Sequence, residues 1–166
     1  MKIREIVQTD HQAYTQLRTC LDGESFMWGA GPGERESLGD YAGHQFDTVL
    51  GQGRSTIFVA EQEATMVGFL SLETPLWQSL AGTTTLMVGV LASHQGKGIA
   101  AELFERAHLW AADKGIHRIE LLVFTDNVLA IGLYKKMGYI EEGVRKQGSY
   151  LDGQFVDESY MAKLLK

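Results

Sequence analysis

The sequence predicts a single α/β domain. Its length, its alternation of two apolar periods and its lack of internal divisions all support that fold class. The chain has 166 residues, of which 45% are hydrophobic and 22% are charged, a composition typical of one globular domain. Segments with apolar residues at every second position predict strands, and they alternate with segments of three- and four-residue apolar spacing, which predict helices. No repeat, low-complexity tract or long linker interrupts residues 1–166, which we therefore interpret as one domain.

The first half of the chain is expected to contain two helices and four strands. Lys2 to Val7 predict the first strand, and Asp10 is a candidate cap for a helix that runs to about Leu21. The remaining expected elements are a loop at 29–33, a helix at about 34–50, a hairpin with arms at 55–61 and 65–74, and a strand at 83–91.

The second half is expected to add two helices and three strands. Ile99, Leu103, Ala107 and Trp110 lie three or four residues apart and predict an amphipathic helix, which Gly115 ends. The remaining expected elements are a strand at 118–124, a helix at 127–137 closed by Gly138, and strands at 139–148 and 155–164. The expected order is therefore β-α-α-β-β-β-α-β-α-β-β.

Charge and cysteine content argue against several classes of protein. The formal net charge is −6 and no basic patch stands out, so we expect no nucleic-acid partner. The charged N-terminus does not resemble a signal peptide, and the uncharged segment 74–96 alternates with the period of a strand, so we expect no membrane span. A single cysteine, Cys20, suits a reducing compartment, and we expect a cytoplasmic protein. The five histidines lack metal-ligand spacing, so no metal is expected.

A glycine-rich stretch opens the helix that follows the strand at 83–91, and it has no Ser, Thr, Asp or Asn at the usual cap position. The Walker pattern fails, because Leu91 stands where it needs glycine and Gly98 where it needs Ser or Thr. Gly96-x-Gly98-x-x-Ala101 meets the dinucleotide pattern literally. However, residues 92–95 separate it from its strand, and no acid closes the next strand.

A third pattern, Gln95-x-x-Gly98-x-Ala100, resembles the acetyl-CoA motif of the GCN5-related N-acetyltransferases (GNAT family). A second stretch, from Asn127 through Ala130 and Tyr134 to the pair Gly138-Tyr139, resembles another signature of that family, and the element order matches as well. The resemblance implies a mixed sheet whose central strand pair splays apart, flanked by helices, with acetyl-CoA as cosubstrate and no metal.

Glycines without a Cβ would let backbone N–H groups at the helix tip surround a diphosphate, with the helix dipole adding to the attraction. A backbone N–H around Gly89 or Val90 would polarise the acetyl carbonyl, and the isolated Gly89 suggests a bulge or a close backbone approach. Lys97 is either a cation near the phosphates or an ordinary surface lysine. By resemblance the cofactor-binding residues are Val88, Gly89, Val90, Gln95, Gly96, Lys97, Gly98, Ile99, Ala100, Asn127, Ala130 and Tyr134.

Two proton transfers need catalytic residues: one to the departing thiolate and one from the attacking amine. By resemblance Tyr134 is the general acid that protonates the departing thiolate; the alternative is a core aromatic residue. Some relatives carry a glutamate base on the strand at 83–91, but Thr83, Thr85 and Met87 are not carboxylates. The remaining candidates for a base are Glu73 and Glu120, each of which is otherwise a solvated acid. Glu24, Phe26 and Trp28 are proposed to border the acceptor pocket, or else to pack beneath a loop.

Three functional readings remain open on the sequence. The first is transfer of acetyl from acetyl-CoA to a primary amine of a small molecule, by direct attack in a ternary complex, with a protein N-terminus or lysine as the alternative acceptor. The second is a CoA-sensing module without transferase activity, in which Tyr134 would be dispensable. The third is a nucleotide-binding regulator that uses the glycine loop. A homodimer is expected by resemblance to the family.

Overall fold

The computed structural model describes residues 1–24 and 41–166, except for the side chains of residues 41, 42 and 52. The expected loop at 29–33 and the first part of the expected helix at 34–50 lie outside these ranges. The described elements are β1 (Lys2–Glu5), α1 (His11–Glu24), α2 (Tyr41–Gln52), β2 (Thr56–Gln62), β3 (Thr65–Glu73), β4 (Thr83–Val90), α3 (Ile99–Asp113), β5 (Arg118–Phe124), α4 (Val128–Lys136), β6 (Ile140–Leu151) and β7 (Gln154–Leu164).

All seven described strands form one mixed sheet in the order β1-β2-β3-β4-β5-β7-β6. Every neighbouring pair is antiparallel except β4 and β5, which are parallel. The β4–β5 pairing runs only from Thr83 opposite Arg118 to Thr85 opposite Glu120. Both strands continue beyond that point, so they separate and leave an opening in the middle of the sheet. This confirms the predicted mixed sheet with a splayed central pair.

Two apolar cores lie on opposite faces of the sheet. On one face α3 packs through Leu103, Phe104 and Ala107 in a cluster that also contains Tyr134 of α4. On the other face Tyr14 and Leu17 of α1 and Phe46 of α2 pack on β2 and β3. Each fully buried side chain of this size contributes about 1.5–3 kcal/mol, so both helix layers are fixed to the sheet by their apolar faces.

The predicted element order is confirmed, but three local predictions need correction. Asp10 does not cap α1: its carboxylate accepts from the N–H of Val7 at 2.8 Å and pairs with Arg4 at 2.6 Å. β1 ends at Glu5, before the predicted limit. β6 extends to Leu151 because it follows β7 through two register shifts, which local periodicity does not reveal.

Gly89 does not mark a bulge. Its pairing with β3 is continuous, with Phe69 opposite Gly89 and Gly68 opposite Val90. A Cβ on Gly68 would lie 3.0 Å from the carbonyl oxygen of Gly89. The absence of a Cβ on Gly68 therefore lets β3 and β4 run tightly together next to the opening.

Candidate functional site

The N-terminus of α3 presents backbone donors with no internal partner. Gly98 is the N-cap, at φ 82°, and no side chain caps the helix. Gly96 also has positive φ, at 73°, and a Cβ on either glycine would have nothing within 4 Å. In the parts of the chain that the structure describes, no residue accepts a hydrogen bond from the N–H groups of Gly96 to Ala100. Such a helix end binds anions well, because its N–H groups and its dipole both favour negative charge.

Side chains brace this glycine loop from its sides and leave its backbone open. Gln95 donates through Nε2 to the carbonyl oxygen of Val90 at 3.0 Å, which ties the loop to the end of β4. The ammonium of the exposed Lys97 donates to the carbonyl oxygen of Ser93 at 3.0 Å. Ile99 is buried in the core and anchors the first turn of α3, while Ala100 is half-buried. Ile99 can therefore offer a ligand its backbone N–H but not its side chain.

The free edge of β4 next to the opening carries the peptide groups of Val88 and Val90. The N–H of Leu91 donates to the carbonyl of Val67 on β3 at 3.0 Å. Peptide groups along a strand alternate in direction, so Gly89 also faces β3, whereas Val88 and Val90 point towards the space that β5 has left. The carbonyl of Val90 is already bonded to Gln95. Of the two residues considered for an N–H that polarises a carbonyl, Val90 has the suitable direction and Gly89 does not.

α4 places a tyrosine against the same core cluster, onto which Val88, Val90 and Ala130 also pack. Asn127 is the N-cap of this helix, since its Oδ1 accepts from the N–H of Ala130 at 3.2 Å. Tyr134 is 9% exposed, and its ring contacts the Phe104 ring edge to face at 5.9 Å between centroids.

The hydroxyl of Tyr134 is available as a proton donor. It makes no hydrogen bond with any described residue, yet it is not among the described side-chain oxygens that are cut off from solvent. Burial raises the pKa of Tyr134 to about 12, so the hydroxyl keeps its proton at neutral pH.

A half-buried chain of polar side chains next to Tyr134 was not predicted. The ammonium of Lys163 donates to the Met137 carbonyl at 2.7 Å, at the end of α4, and lies 3.2 Å from Nδ1 of His108. An ammonium can only donate, so Nδ1 accepts, and Nε2–H of His108 donates to the Tyr139 hydroxyl at 3.2 Å. Burial, together with the charge of Lys163, lowers the pKa of His108 to about 4. A lone histidine on an amphipathic helix carries no sequence signal for this contact.

An open cleft of about 500 Å³ lies where β3 and β4 meet α2, and its lining includes Thr48, Glu73, Thr85 and Met87. Glu73 lies directly opposite Thr85 in the β3–β4 pairing. Thr85 and Met87 occupy two of the three β4 positions at which a glutamate base was considered, and neither is a carboxylate. Glu73 therefore brings a carboxylate to that part of the sheet from the neighbouring strand.

The other acidic candidates are held elsewhere. The carboxylate of Glu120 pairs with Arg118 at 2.8 Å, which argues against its use as a base. Glu24 does not line the cleft; its carboxylate accepts from the N–H of Ala92 at 2.8 Å, just after β4. Phe26 and Trp28 lie outside the described residues.

Over the described ranges, no group of three or more metal-ligating side chains is present, and no helix is long and apolar enough to span a membrane.

A splayed parallel pair beside a helix tip with free amides defines an α/β protein with a split sheet and a helix end suited to anions. The family model described as "Acetyltransferase (GNAT) family" matches residues 16–139. The chain belongs to this family.

Individual relatives agree with this assignment. The L-amino acid N-acetyltransferase AaaT of Escherichia coli K12 is 31% identical over 110 residues, which cover 64% of this chain and 66% of that protein. The match thus spans just under two thirds of the relative's length.

Solved structures share the fold along almost the whole chain. A GNAT acetyltransferase from Streptococcus pneumoniae has a TM-score of 0.89 at 22% identity, with 99% of each chain covered. The structure of yncA from Salmonella typhimurium with its cofactor acetyl-CoA has a TM-score of 0.81 at 20% identity, covering 100% of this chain and 94% of the other.

Proposed function

We propose that this protein is an N-acetyltransferase that moves acetyl from acetyl-CoA to a primary amine of a small molecule, by direct attack while both substrates are bound. One observation carries the proposal: unpartnered N–H groups at the tip of α3 lie beside the opening between β4 and β5. Membership of the GNAT family and the acetyl-CoA in the yncA structure support the identity of the cofactor.

The residues present fit this cofactor. Gly96 to Ala100 would hold the diphosphate, because their N–H groups have no described partner and Gly96 and Gly98 have no side chain in the way. On the free edge of β4, Val88 would pair with a pantetheine amide like an added strand, and Val90 would face the thioester. Asn127 and Ala130, at the start of α4, would border the same groove. Lys97 would add positive charge on the solvent side.

The bound thioester supplies an electrophilic carbonyl carbon. The N–H of Val90 would donate to its oxygen and stabilise the negative charge that develops there. The nitrogen of the amine forms the new N–C bond while the C–S bond breaks, and the electron pair stays on sulfur. Tyr134 would donate its proton to that sulfur, since a thiolate in a dry crevice is costly. In the net reaction, a protonated amine and the thioester are converted to an amide and a thiol, and one proton is released to solvent.

The amine must first lose a proton, because aliphatic amines have reference pKa values of about 10.4. Glu73 is the proposed base. The thioester is placed at the N–H of Val90, and the five-residue step to Val90 from Thr85, opposite Glu73, is about 17 Å along the strand. We therefore propose that water relays the proton from the amine to Glu73.

A small-molecule acceptor fits the cleft, since about 500 Å³ lies within the range of small-ligand sites. The similarity to an L-amino acid N-acetyltransferase also favours such an acceptor. A protein N-terminus or lysine is the alternative acceptor. The free hydroxyl of Tyr134 favours an enzyme over a non-catalytic CoA sensor. The homodimer, the cytoplasmic location and the absence of a nucleic-acid partner stay predictions.

Ligand-induced shifts in thermal stability test the cofactor, because a ligand that binds only the native state raises Tm. We expect acetyl-CoA to raise Tm and ATP and NAD to leave it unchanged. Release of the CoA thiol in the presence of a panel of amino acids, polyamines and peptides then tests the transfer. Equal shifts with all three ligands, or no thiol release with any amine, would refute the proposal.

A further inference from the structure

A chain of hydrogen bonds joins α1, α2 and β3 behind the cleft. The Tyr14 hydroxyl donates to Oε1 of Gln45 at 2.8 Å, and Nη1 of Arg18 donates to the same oxygen at 2.5 Å. The Nε2 group of Gln45 donates in turn to Oε1 of Glu73. Three elements that are distant in sequence thus converge on one carboxylate of the cleft.

The orientation of the Gln45 amide is determined by its partners. A carbonyl oxygen accepts two hydrogen bonds, and Tyr14 and Arg18 both supply donors to Oε1. A flipped amide would place its NH2 group against the donors of the guanidinium. Nε2 must therefore face Glu73, whose carboxylate can only accept while it is ionised.

These groups lie in a low-dielectric environment. Arg18 is 1% exposed, Tyr14 is 0% exposed and Gln45 is 6% exposed. The guanidinium carbon of Arg18 lies 4.6 Å from the centroid of the Phe69 ring. Burying polar groups is unfavourable unless they are hydrogen-bonded. Here the bonded chain ends on Glu73, a half-buried carboxylate that lines the cleft.

We infer that Gln45 is a positioning residue for Glu73. By holding Oε1, the Gln45 amide fixes the direction of the carboxylate, and Oε2, which makes no hydrogen bond with a described residue, is left to take the proton that water relays from the acceptor amine. Tyr14 and Arg18 in turn fix Gln45. This inference rests on the proposed function, in which Glu73 is the base.

The variant Gln45→Glu replaces the N–H donor to Glu73 with a second carboxylate. While ionised, its carboxylate still accepts from Tyr14 and Arg18, so the buried donors stay paired, but it cannot donate to Glu73 and it adds a like charge beside that carboxylate. We expect kcat to fall by about 10- to 100-fold, since a misplacement of about 1 Å can cost about 100-fold, while the KM for acetyl-CoA stays within about twofold because the cofactor contacts lie elsewhere. Gln45→Leu, which removes all three bonds, should lower kcat at least as much. Asp47→Asn, an exposed change on the same helix, is the control.

A double-mutant comparison with Glu73 distinguishes a positioning role of Gln45 from a general structural role. Each Gln45 variant is measured alone and combined with Glu73→Gln, with Tm and acetyl-CoA affinity recorded for every protein. If Gln45 acts through Glu73, its replacement causes no further loss of kcat once Glu73 is glutamine. An equal loss in both backgrounds, or no loss when Gln45 alone is replaced, would overturn the inference. If Gln45→Leu does not fold, the same comparison is made with Gln45→Glu alone, and its result tests the inference. A wild-type protein without turnover would overturn the proposed function, and the inference with it.

Discussion

Replacing Gly98 with alanine adds one methyl group at the tip of α3. Nothing lies within 4 Å of an added Cβ, so the protein itself offers no clash. The cost to folding comes from the backbone, because φ at Gly98 is 82° and L-residues disfavour that region by about 1–2 kcal/mol. For a domain of this size, 1 kcal/mol lowers Tm by about 2–4 °C.

The effect on acetyl-CoA binding should exceed this cost, since the methyl group projects where we place the diphosphate. Loss of one hydrogen bond to a charged group is worth about 1.5–3 kcal/mol, which raises Kd about 10- to 150-fold.

Gly115 provides a matched control on the same helix. It follows the other end of α3 at φ 71°, and an added Cβ would again meet nothing within 4 Å. The two glycines lie about 25 Å apart along the helix axis. Gly115→Ala should therefore lose the same stability as Gly98→Ala and keep wild-type affinity for acetyl-CoA.

Isothermal titration calorimetry with acetyl-CoA and thermal unfolding of the free proteins measure both quantities. A wild-type Kd for Gly98→Ala would refute the binding argument. An equal rise in Kd for Gly115→Ala would show that the loss reflects general destabilisation.

The remaining predictions concern two titratable side chains. Tyr134→Phe should lower kcat about 100-fold or more in a chemistry-limited assay, with unchanged Tm and acetyl-CoA affinity, because the hydroxyl has no described partner; full turnover would exclude the acid role. Because the pKa of Tyr134 is raised to about 12, its ionisation should not lower kcat below pH 10, and a loss there that is absent in Tyr134→Phe would contradict the burial. His108, with a pKa lowered to about 4, stays neutral in the native state while the unfolded chain binds a proton below about pH 6.5. Stability should therefore fall as the pH drops from about 6.5 to 4, and more so than in His108→Gln; an NMR titration midpoint near 6.5 would contradict this.

Local sequence patterns predicted most of the elements, because strand and helix periods are local properties of the chain. The arms of the β2–β3 hairpin were predicted within one residue at each end, even though its turn uses Glu63 and Ala64 at positive φ in place of glycine. Gly138, at φ 91°, ends α4 as predicted. The length of β6 was not predictable in this way, since it depends on pairing with β7 across register shifts.

The residues that we propose for the cofactor are close together in sequence, so local motifs were enough to predict them. Gln95 to Ala100 form one loop and helix start, and Asn127 to Tyr134 form one helix. The acceptor side depends on packing between distant elements. Nothing in the separate segments indicates that Arg18, Gln45 and Glu73 meet, or that His108 joins Tyr139 to Lys163.

A crystal structure of the protein with acetyl-CoA tests the central claim most directly. We predict diphosphate oxygens at about 2.7–3.2 Å from backbone nitrogens between Gly96 and Ala100. A diphosphate bound elsewhere, with those N–H groups bonded to the protein's own carboxylates, would contradict the account.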